Sequence, residues 1–145
     1  MLCICEANLE GMCSDRPFSI KGYKSYCPRL LDTQKYTRVI VLVKTELDCV
    51  LRDEYMQPGQ AAVWLQLKPS GKEEKFLIGS LYREFKIPTT TDTHETLGRS
   101  EKAQKLRLQE FGSNLCRVTA ENKNVLLMGD INLDLSKLEY SNYLI

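Results

Sequence analysis

Apolar residues in this chain occur mainly in short runs separated by polar turns, a pattern that is typical of strands. The clearest early example is Thr37 to Lys44, which is rich in β-branched residues and is flanked by charge. The segment 47–51 is predicted to be its antiparallel return, with the turn at Thr45 and Glu46. By the same pattern we predict further strands at residues 1–5, 18–23, 61–68 and 75–82, and we expect Trp64 to pack in the core.

One helix is predicted, from Leu97 to about Glu121, because leucine, phenylalanine and valine recur there at helical spacing. The preceding residues 85–96 are rich in proline and threonine and predict a loop. That loop carries the only histidine, His94, which we expect to be solvent-exposed rather than a catalytic base. A solvated helix face, with DNA-backbone contact as the alternative, is expected for Lys102, Lys105, Arg107 and Arg117.

A buried strand is predicted after the helix, and the last residues, 140–145, resemble the start of another element. Strands, one long helix and then a buried strand predict a layered α/β (α+β) fold. The last predicted strand stops at Gly129 and is followed by Asp130 and Asn132. These two residues would share a face if the strand continued past Gly129. A carboxylate and a carboxamide placed in this way suit a hard cation and a polarised water.

Residues 129–132, Gly-Asp-Ile-Asn, are also an ordinary turn sequence, because Asp and Asn hydrogen-bond their own backbone. Taken alone, Gly-Asp-x-Asn favours the turn. Three other polar residues change that balance: Glu6 follows the first predicted strand, and Tyr82 and Arg83 end the strand at 75–82. Polar residues at one set of strand ends are where layered folds place their sites.

These residues suggest phosphoester chemistry. Glu6 and Asp130 could be oxygen ligands of Mg²⁺, and Asp130 could then orient or deprotonate a water. Asn132 could donate to a phosphate oxygen, and the forked cation of Arg83 also suits phosphate. Simpler alternatives exist: Glu6 solvated at a loop start, Tyr82 as a half-buried strand residue, and Arg83 as a surface charge.

Composition sets the remaining bounds. With 145 residues, 43% hydrophobic and 27% charged, we expect a single globular domain over residues 1–145. A net charge of +1 does not favour a basic nucleic-acid module, although charge can be segregated on one face. No apolar run approaches a membrane span and no signal peptide is visible, so we expect an intracellular protein and no membrane partner. The six cysteines lack the spacing of a zinc site and are expected to be reduced, mostly buried thiols.

Five sequence blocks occur in an order that resembles the endonuclease/exonuclease/phosphatase superfamily, and within it the endonuclease domain of non-LTR retrotransposons. The resemblance runs over nearly the whole chain and rests on residues 3–9, 38–44, 62–65, 77–85 and 127–134. It implies a four-layer α/β/β/α sandwich, with two facing sheets between helices and the site at one end of the sheets.

The resemblance implies a magnesium-dependent phosphodiesterase, with Mn²⁺ as an alternative ion, that nicks DNA so that reverse transcription can be primed there. DNA is the implied substrate, a reverse transcriptase domain of the same element is the implied partner, and the nucleus is the implied site of action. Phosphate or DNA contacts are expected from Arg83 and Asn8.

Other site residues follow from the family's motifs. Glu6 matches the metal-binding glutamate, and Tyr82 matches the strand-end tyrosine that approaches the scissile phosphate. Asp130 and Asn132 match the catalytic aspartate and asparagine of Gly-Asp-Phe-Asn, with Ile131 in place of the aromatic residue.

This sequence departs from the family pattern at both ends. The family has an earlier strand with a metal-site asparagine and a later Ser-Asp-His segment, and His94 is misplaced to substitute for that histidine. We therefore expect an incomplete sandwich, truncated at both ends, with little or no nicking activity. The alternatives are a non-catalytic remnant that binds nucleic acid or a partner, and a superfamily phosphoesterase with a non-DNA substrate.

Overall fold

The computed structural model describes residues 1–10, 19–28, 36–57, 60–69, 71, 73–83 and 94–132. The chain divides into two compact units. The first unit comprises Met1–Arg83 and Asn122–Ile131, and the second comprises Glu84–Glu121 and Asn132–Ile145. The element predicted at 140–145 lies outside the described residues.

The first unit contains two sheets. Strands β1 (Leu2–Glu10), β2 (Tyr23–Tyr26) and β3 (Tyr36–Lys44) form a three-stranded antiparallel sheet in the order β1-β3-β2. The central position of β3 explains its continuous apolar run, because a strand paired on both sides and covered on both faces has no solvated side. We call this the first sheet.

The second sheet has four strands in the order β4-β5-β6-β7. Its strands are β4 (Asp48–Leu51), β5 (Ala61–Lys68), β6 (Phe76–Tyr82) and β7 (Val125–Asp130). The pairs β4–β5 and β5–β6 are antiparallel, whereas β6 and β7 are parallel. Parallel neighbours need a crossover connection, and the chain between these two strands contains helix α1 (His94–Glu121).

Helix α1 belongs to the second unit. Along its described part Leu108, Asn114 and Val118 are buried, whereas Lys105 and Arg117 are exposed. The helix is therefore amphipathic, as its sequence predicts. No described helix combines the length and the apolar composition that crossing a bilayer requires.

Three predictions for elements that follow β1 were wrong in position or partner. Residues 48–51 pair with β5 and not with β3, because the chain crosses to the other sheet after the turn at Thr45. The strand predicted at 18–23 is found at Tyr23–Tyr26, after a turn at Lys21 and Gly22, and residue 18 lies outside the described part. Helix α1 begins at His94 rather than Leu97, since nothing in residues 94–96 interrupts a helix, so His94 is helical and not in a loop.

The two sheets face each other through alternate residues of their central strands. In β3 these residues are Val39, Val41 and Val43, and in β5 they are Val63 and Leu65; all five are at most 1% exposed. Each strand turns every second side chain toward the same face, so this core lies between the sheets. The predicted pair of facing sheets and the α/β class are confirmed.

The opposite face of the second sheet is organised around Trp64, whose predicted burial is confirmed at 1% exposure. Its ring lies over Gly79, the residue opposite it on β6, and a Cβ atom there would come within 2.5 Å of the ring. Tyr55 meets the same ring edge-on at 6.1 Å between centroids, and its hydroxyl accepts a hydrogen bond from Asn122 Nδ2 at 2.9 Å. The glycine provides the space for the indole.

A polar contact joins the two sheets away from this tryptophan. The Tyr26 hydroxyl on β2 is hydrogen-bonded to the Cys49 thiol on β4. Burial, reinforced by that thiol, raises the pKa of Tyr26 to about 12. Burial also raises the pKa of the Cys49 and Cys3 thiols, so both stay protonated at neutral pH. The described cysteines, Cys3, Cys5, Cys27, Cys49 and Cys116, are free thiols.

Alkaline pH should weaken the first unit through Tyr26. A raised pKa means that the neutral phenol contributes stability that is complete below the ordinary pKa of 10.0 and is lost as the pH rises toward about 12. We expect the urea midpoint to fall between about pH 10 and about pH 12, and to fall less in Tyr26→Phe. The exposed Tyr36→Phe is the control. Parallel losses in both variants would contradict this assignment.

The pairing of β6 with β7 depends on Gly129. This residue lies opposite Leu81 with φ +126°, and a Cβ atom would be 1.9 Å from the Leu81 carbonyl oxygen. Only glycine allows this approach, because the contact is with backbone that cannot rotate away.

Gly129→Ala is therefore expected to lower the free energy of unfolding by about 3 kcal/mol, since the two strands must separate to admit the methyl group. Gly71→Ala is the matched control: its φ is +74°, but a Cβ atom meets nothing within 4 Å. Its expected cost is about 1 kcal/mol from backbone strain alone. Urea unfolding followed by circular dichroism measures both, and equal losses would refute the steric argument.

Candidate active site

Strand β1 is interrupted at Glu6. It pairs regularly with β3 as far as Cys5, and the pairing resumes with a shifted register at Leu9. Between these points Glu6 and Asn8 have φ values of +54° and +49°. This is a β-bulge, which re-aims a side chain at some cost in backbone energy. The strand was predicted to end at Cys5, which is wrong: it continues to Glu10 through the bulge.

The bulge turns Glu6 toward the second sheet. Cys3 and Cys5 already face that sheet, with the Cys3 thiol beside the Ser80 hydroxyl and Cys5 Sγ 3.6 Å from the Leu81 carbonyl oxygen. In a regular strand the next residue would point to the opposite face. The left-handed backbone at Glu6 breaks that alternation.

The result is a direct contact between the two sheets. The Tyr82 hydroxyl donates a hydrogen bond to Glu6 Oε1 at 2.7 Å. The two residues are 76 positions apart in the sequence. The hydrogen bond holds an exposed carboxylate in a defined position, because its donor is on the rigid ring of a tyrosine whose backbone belongs to the sheet.

Asp130 lies next to this pair. It is the last residue of β7 and is opposite Tyr82, the last residue of β6, in parallel register. Paired residues of neighbouring strands point to the same face, and neighbouring strands are about 4.8 Å apart. The structure therefore brings together Glu6, Tyr82 and Asp130, three of the residues singled out in the sequence.

The backbone after Asp130 is held by Arg83. The Arg83 N–H donates to the Asp130 carbonyl at 2.9 Å, and Arg83 Nε donates to the Ile131 carbonyl at 2.8 Å. Asn132 follows with φ +48°. Because β7 ends at Asp130, Asn132 is not a strand residue, and the two residues do not share a strand face.

Asn8 lies in the bulge itself. Its Oδ1 accepts a hydrogen bond from Arg38 Nη1 on β3. Asparagine adopts positive φ more readily than most residues, so it suits this position. The sequence predicts no role for Arg38, because nothing in the sequence of β3 shows that a bulged residue of another strand lies beside it.

The donor set fits a hard divalent cation. Glu6 and Asp130 supply two exposed carboxylates on neighbouring parts of the two sheets. Mg²⁺ is commonly held by one or two carboxylates and completes its shell with water and phosphate oxygens. A closed structural zinc site needs about four nitrogen or sulfur ligands. Within the described ranges, no group of three or more His, Cys, Asp and Glu side chains could hold a metal ion.

Comparison with known proteins gives a structural likeness. No family model matches the sequence, and no curated protein matches it. The backbone is similar to the solved endonuclease domain of TRAS1, a telomere-specific non-LTR retrotransposon, with a TM-score of 0.55. The two are 13% identical over 81% of this chain and 44% of that chain.

At this identity the likeness establishes the fold. The resemblance of the five sequence blocks to retrotransposon endonuclease domains is thus confirmed for the fold, and the chain spans less than half the length of the TRAS1 domain. Glu6, Tyr82 and Asp130 meet at one end of a mixed α/β fold that this chain shares with a non-LTR retrotransposon endonuclease domain.

Proposed function

We propose that this chain is the endonuclease domain, or part of one, of a retrotransposon-like element, and that it hydrolyses DNA phosphodiester bonds at a low rate with a divalent metal ion, Mg²⁺ or Mn²⁺. The observation that carries the proposal is the hydrogen bond of 2.7 Å from Tyr82 to Glu6, with Asp130 beside Tyr82 in register. The shared fold with the TRAS1 domain supports DNA as the substrate class.

Each residue has a defined task in this proposal. Glu6 and Asp130 would hold the cation, which would supply positive charge to offset that of the phosphate and would make a nearby water more acidic. Asp130 also orients the attacking water or accepts its proton. Tyr82 fixes the Glu6 carboxylate, and Asn132, two residues after Asp130, donates its amide to a phosphate oxygen.

The wider setting follows from the same proposal. Chromosomal DNA is the target, a reverse transcriptase domain of the same element is the partner, and the nucleus is the site of action. The TRAS1 domain is described as part of a telomere-specific non-LTR retrotransposon, which supports this setting by analogy.

Nicking of supercoiled plasmid in the presence of Mg²⁺ tests the proposal. We expect nicking to be abolished by EDTA and reduced about 100-fold or more in Asp130→Asn and Glu6→Gln, because each loses a charged oxygen ligand. Asp48→Asn, an exposed acid on β4, is the matched control and should nick like the unsubstituted chain.

Two outcomes would favour the alternatives. DNA binding without nicking by the unsubstituted chain indicates a non-catalytic remnant. Hydrolysis of inositol phosphates or phospholipids in preference to DNA indicates another phosphoesterase of this fold. Nicking that persists in Asp130→Asn removes Asp130 from the site.

Tyr82→Phe tests the contact between the sheets without changing charge. Loss of the hydroxyl frees the Glu6 carboxylate to adopt several positions, so we expect Mn²⁺ affinity to fall about fivefold, equivalent to ~1 kcal/mol. Titration calorimetry or the electron paramagnetic resonance of Mn²⁺ measures this affinity. The exposed Tyr36→Phe should leave it unchanged. Unchanged affinity in Tyr82→Phe would show that the hydrogen bond does not position Glu6.

A further inference from the structure

Arg83 makes two contacts with the chain segment that carries Asp130. Its backbone N–H donates to the Asp130 carbonyl at 2.9 Å and its Nε donates to the Ile131 carbonyl at 2.8 Å. We propose that Arg83 is a positioning residue, which fixes the turn after Asp130 and so orients that carboxylate, and that it does not act as a phosphate-binding charge. The proposal rests on the proposed function for the role of Asp130.

The two acceptors are consecutive carbonyls, those of Asp130 and Ile131, and this shows how the backbone runs after Asp130. In a regular strand successive carbonyls point to opposite sides, so one neighbouring residue cannot donate hydrogen bonds to both. Here both are bonded by Arg83. The backbone must therefore turn directly after Asp130, which agrees with the end of β7 there and with φ +48° at Asn132.

The side chain of Arg83 extends the ladder where backbone pairing stops. The backbone N–H of Arg83 makes the first hydrogen bond beyond the last paired residues, Tyr82 and Asp130. Its Nε then satisfies the next carbonyl, that of Ile131, which would otherwise depend on water. The last residues of an edge strand fray easily, so a hydrogen bond from a side chain at this point restrains the residues that fray first.

Asp130 is thus held from both sides. On its N-terminal side Gly129 lies against the Leu81 backbone, and on its C-terminal side Arg83 holds Ile131. Its own carbonyl is bonded by the Arg83 N–H. An exposed carboxylate on a backbone restrained in this way keeps its direction, which a metal ligand requires.

The chemistry of Nε separates this role from phosphate binding. Glutamine places its amide nitrogen the same number of bonds from the backbone as arginine places Nε, but it carries no charge. Lysine keeps the charge and places its nitrogen one bond further out. A positioning role therefore favours Arg83→Gln over Arg83→Lys, whereas phosphate binding favours the reverse.

Hydrogen exchange of the residue 83 amide, measured on the metal-free protein, provides the test. We expect protection to fall about fivefold or more in Arg83→Lys and to stay within about twofold in Arg83→Gln. Lys123→Gln, an exposed lysine of the same unit, is the charge control and should not change it. The proposal stands only if the exchange protection in Arg83→Gln is closer to that of the unsubstituted chain than the protection in Arg83→Lys is. Any other order overturns it.

The exchange measurement needs neither metal nor activity, so its failure is distinct from failure of the proposed function. If the unsubstituted chain does not nick or bind Mn²⁺, the proposed function is lost while exchange still decides the role of Arg83. If it nicks, Arg83→Lys should lower kcat without raising KM for DNA. The salt dependence of DNA binding should also keep its slope in Arg83→Gln, whereas loss of a phosphate contact would reduce that slope by about one.

Discussion

The close approach of Gly129 to the Leu81 backbone is the constraint on which the candidate site depends. It sets the parallel register of β6 and β7, and this register places Asp130 beside Tyr82 where both strands end. Any side chain at position 129 would meet a carbonyl oxygen, so the close pairing of the two strands requires glycine at this position. The glycine of the Gly-Asp-x-Asn motif lies within the paired part of β7, so its role is in strand pairing rather than in a turn.

The second constraint is the bulge in β1, where Glu6 and Asn8 take up backbone conformations that cost energy. Pairing with β3 fixes both flanks of the bulge, and the bonds from Tyr82 and Arg38 hold its two exposed side chains. Strain of this kind persists when the surroundings determine the geometry from several directions. It is also common where a fold must present a polar group from a strand that otherwise faces the core.

Arginine has supporting roles on both sides of the site. Arg38 bonds the bulge that carries Glu6, and Arg83 bonds the turn that follows Asp130. In both cases the planar guanidinium meets uncharged oxygens of the protein itself, a use of arginine that depends on the direction of its N–H groups more than on its charge. The acidic residues are thereby placed by hydrogen bonds that link different elements of the fold.

The sequence by itself determined the features that depend on local pattern. The strands β3, β5 and β6, the long helix, the burial of Trp64 and the choice of Glu6, Tyr82 and Asp130 as candidate residues all follow from periodicity, motif and the resemblance they support. Only the tertiary structure decided which sheet β4 joins, where β1 bulges and what Arg38 and Arg83 contact. These features are contacts between residues about 14 to 48 positions apart, and their register is set by packing that no local window of the sequence contains.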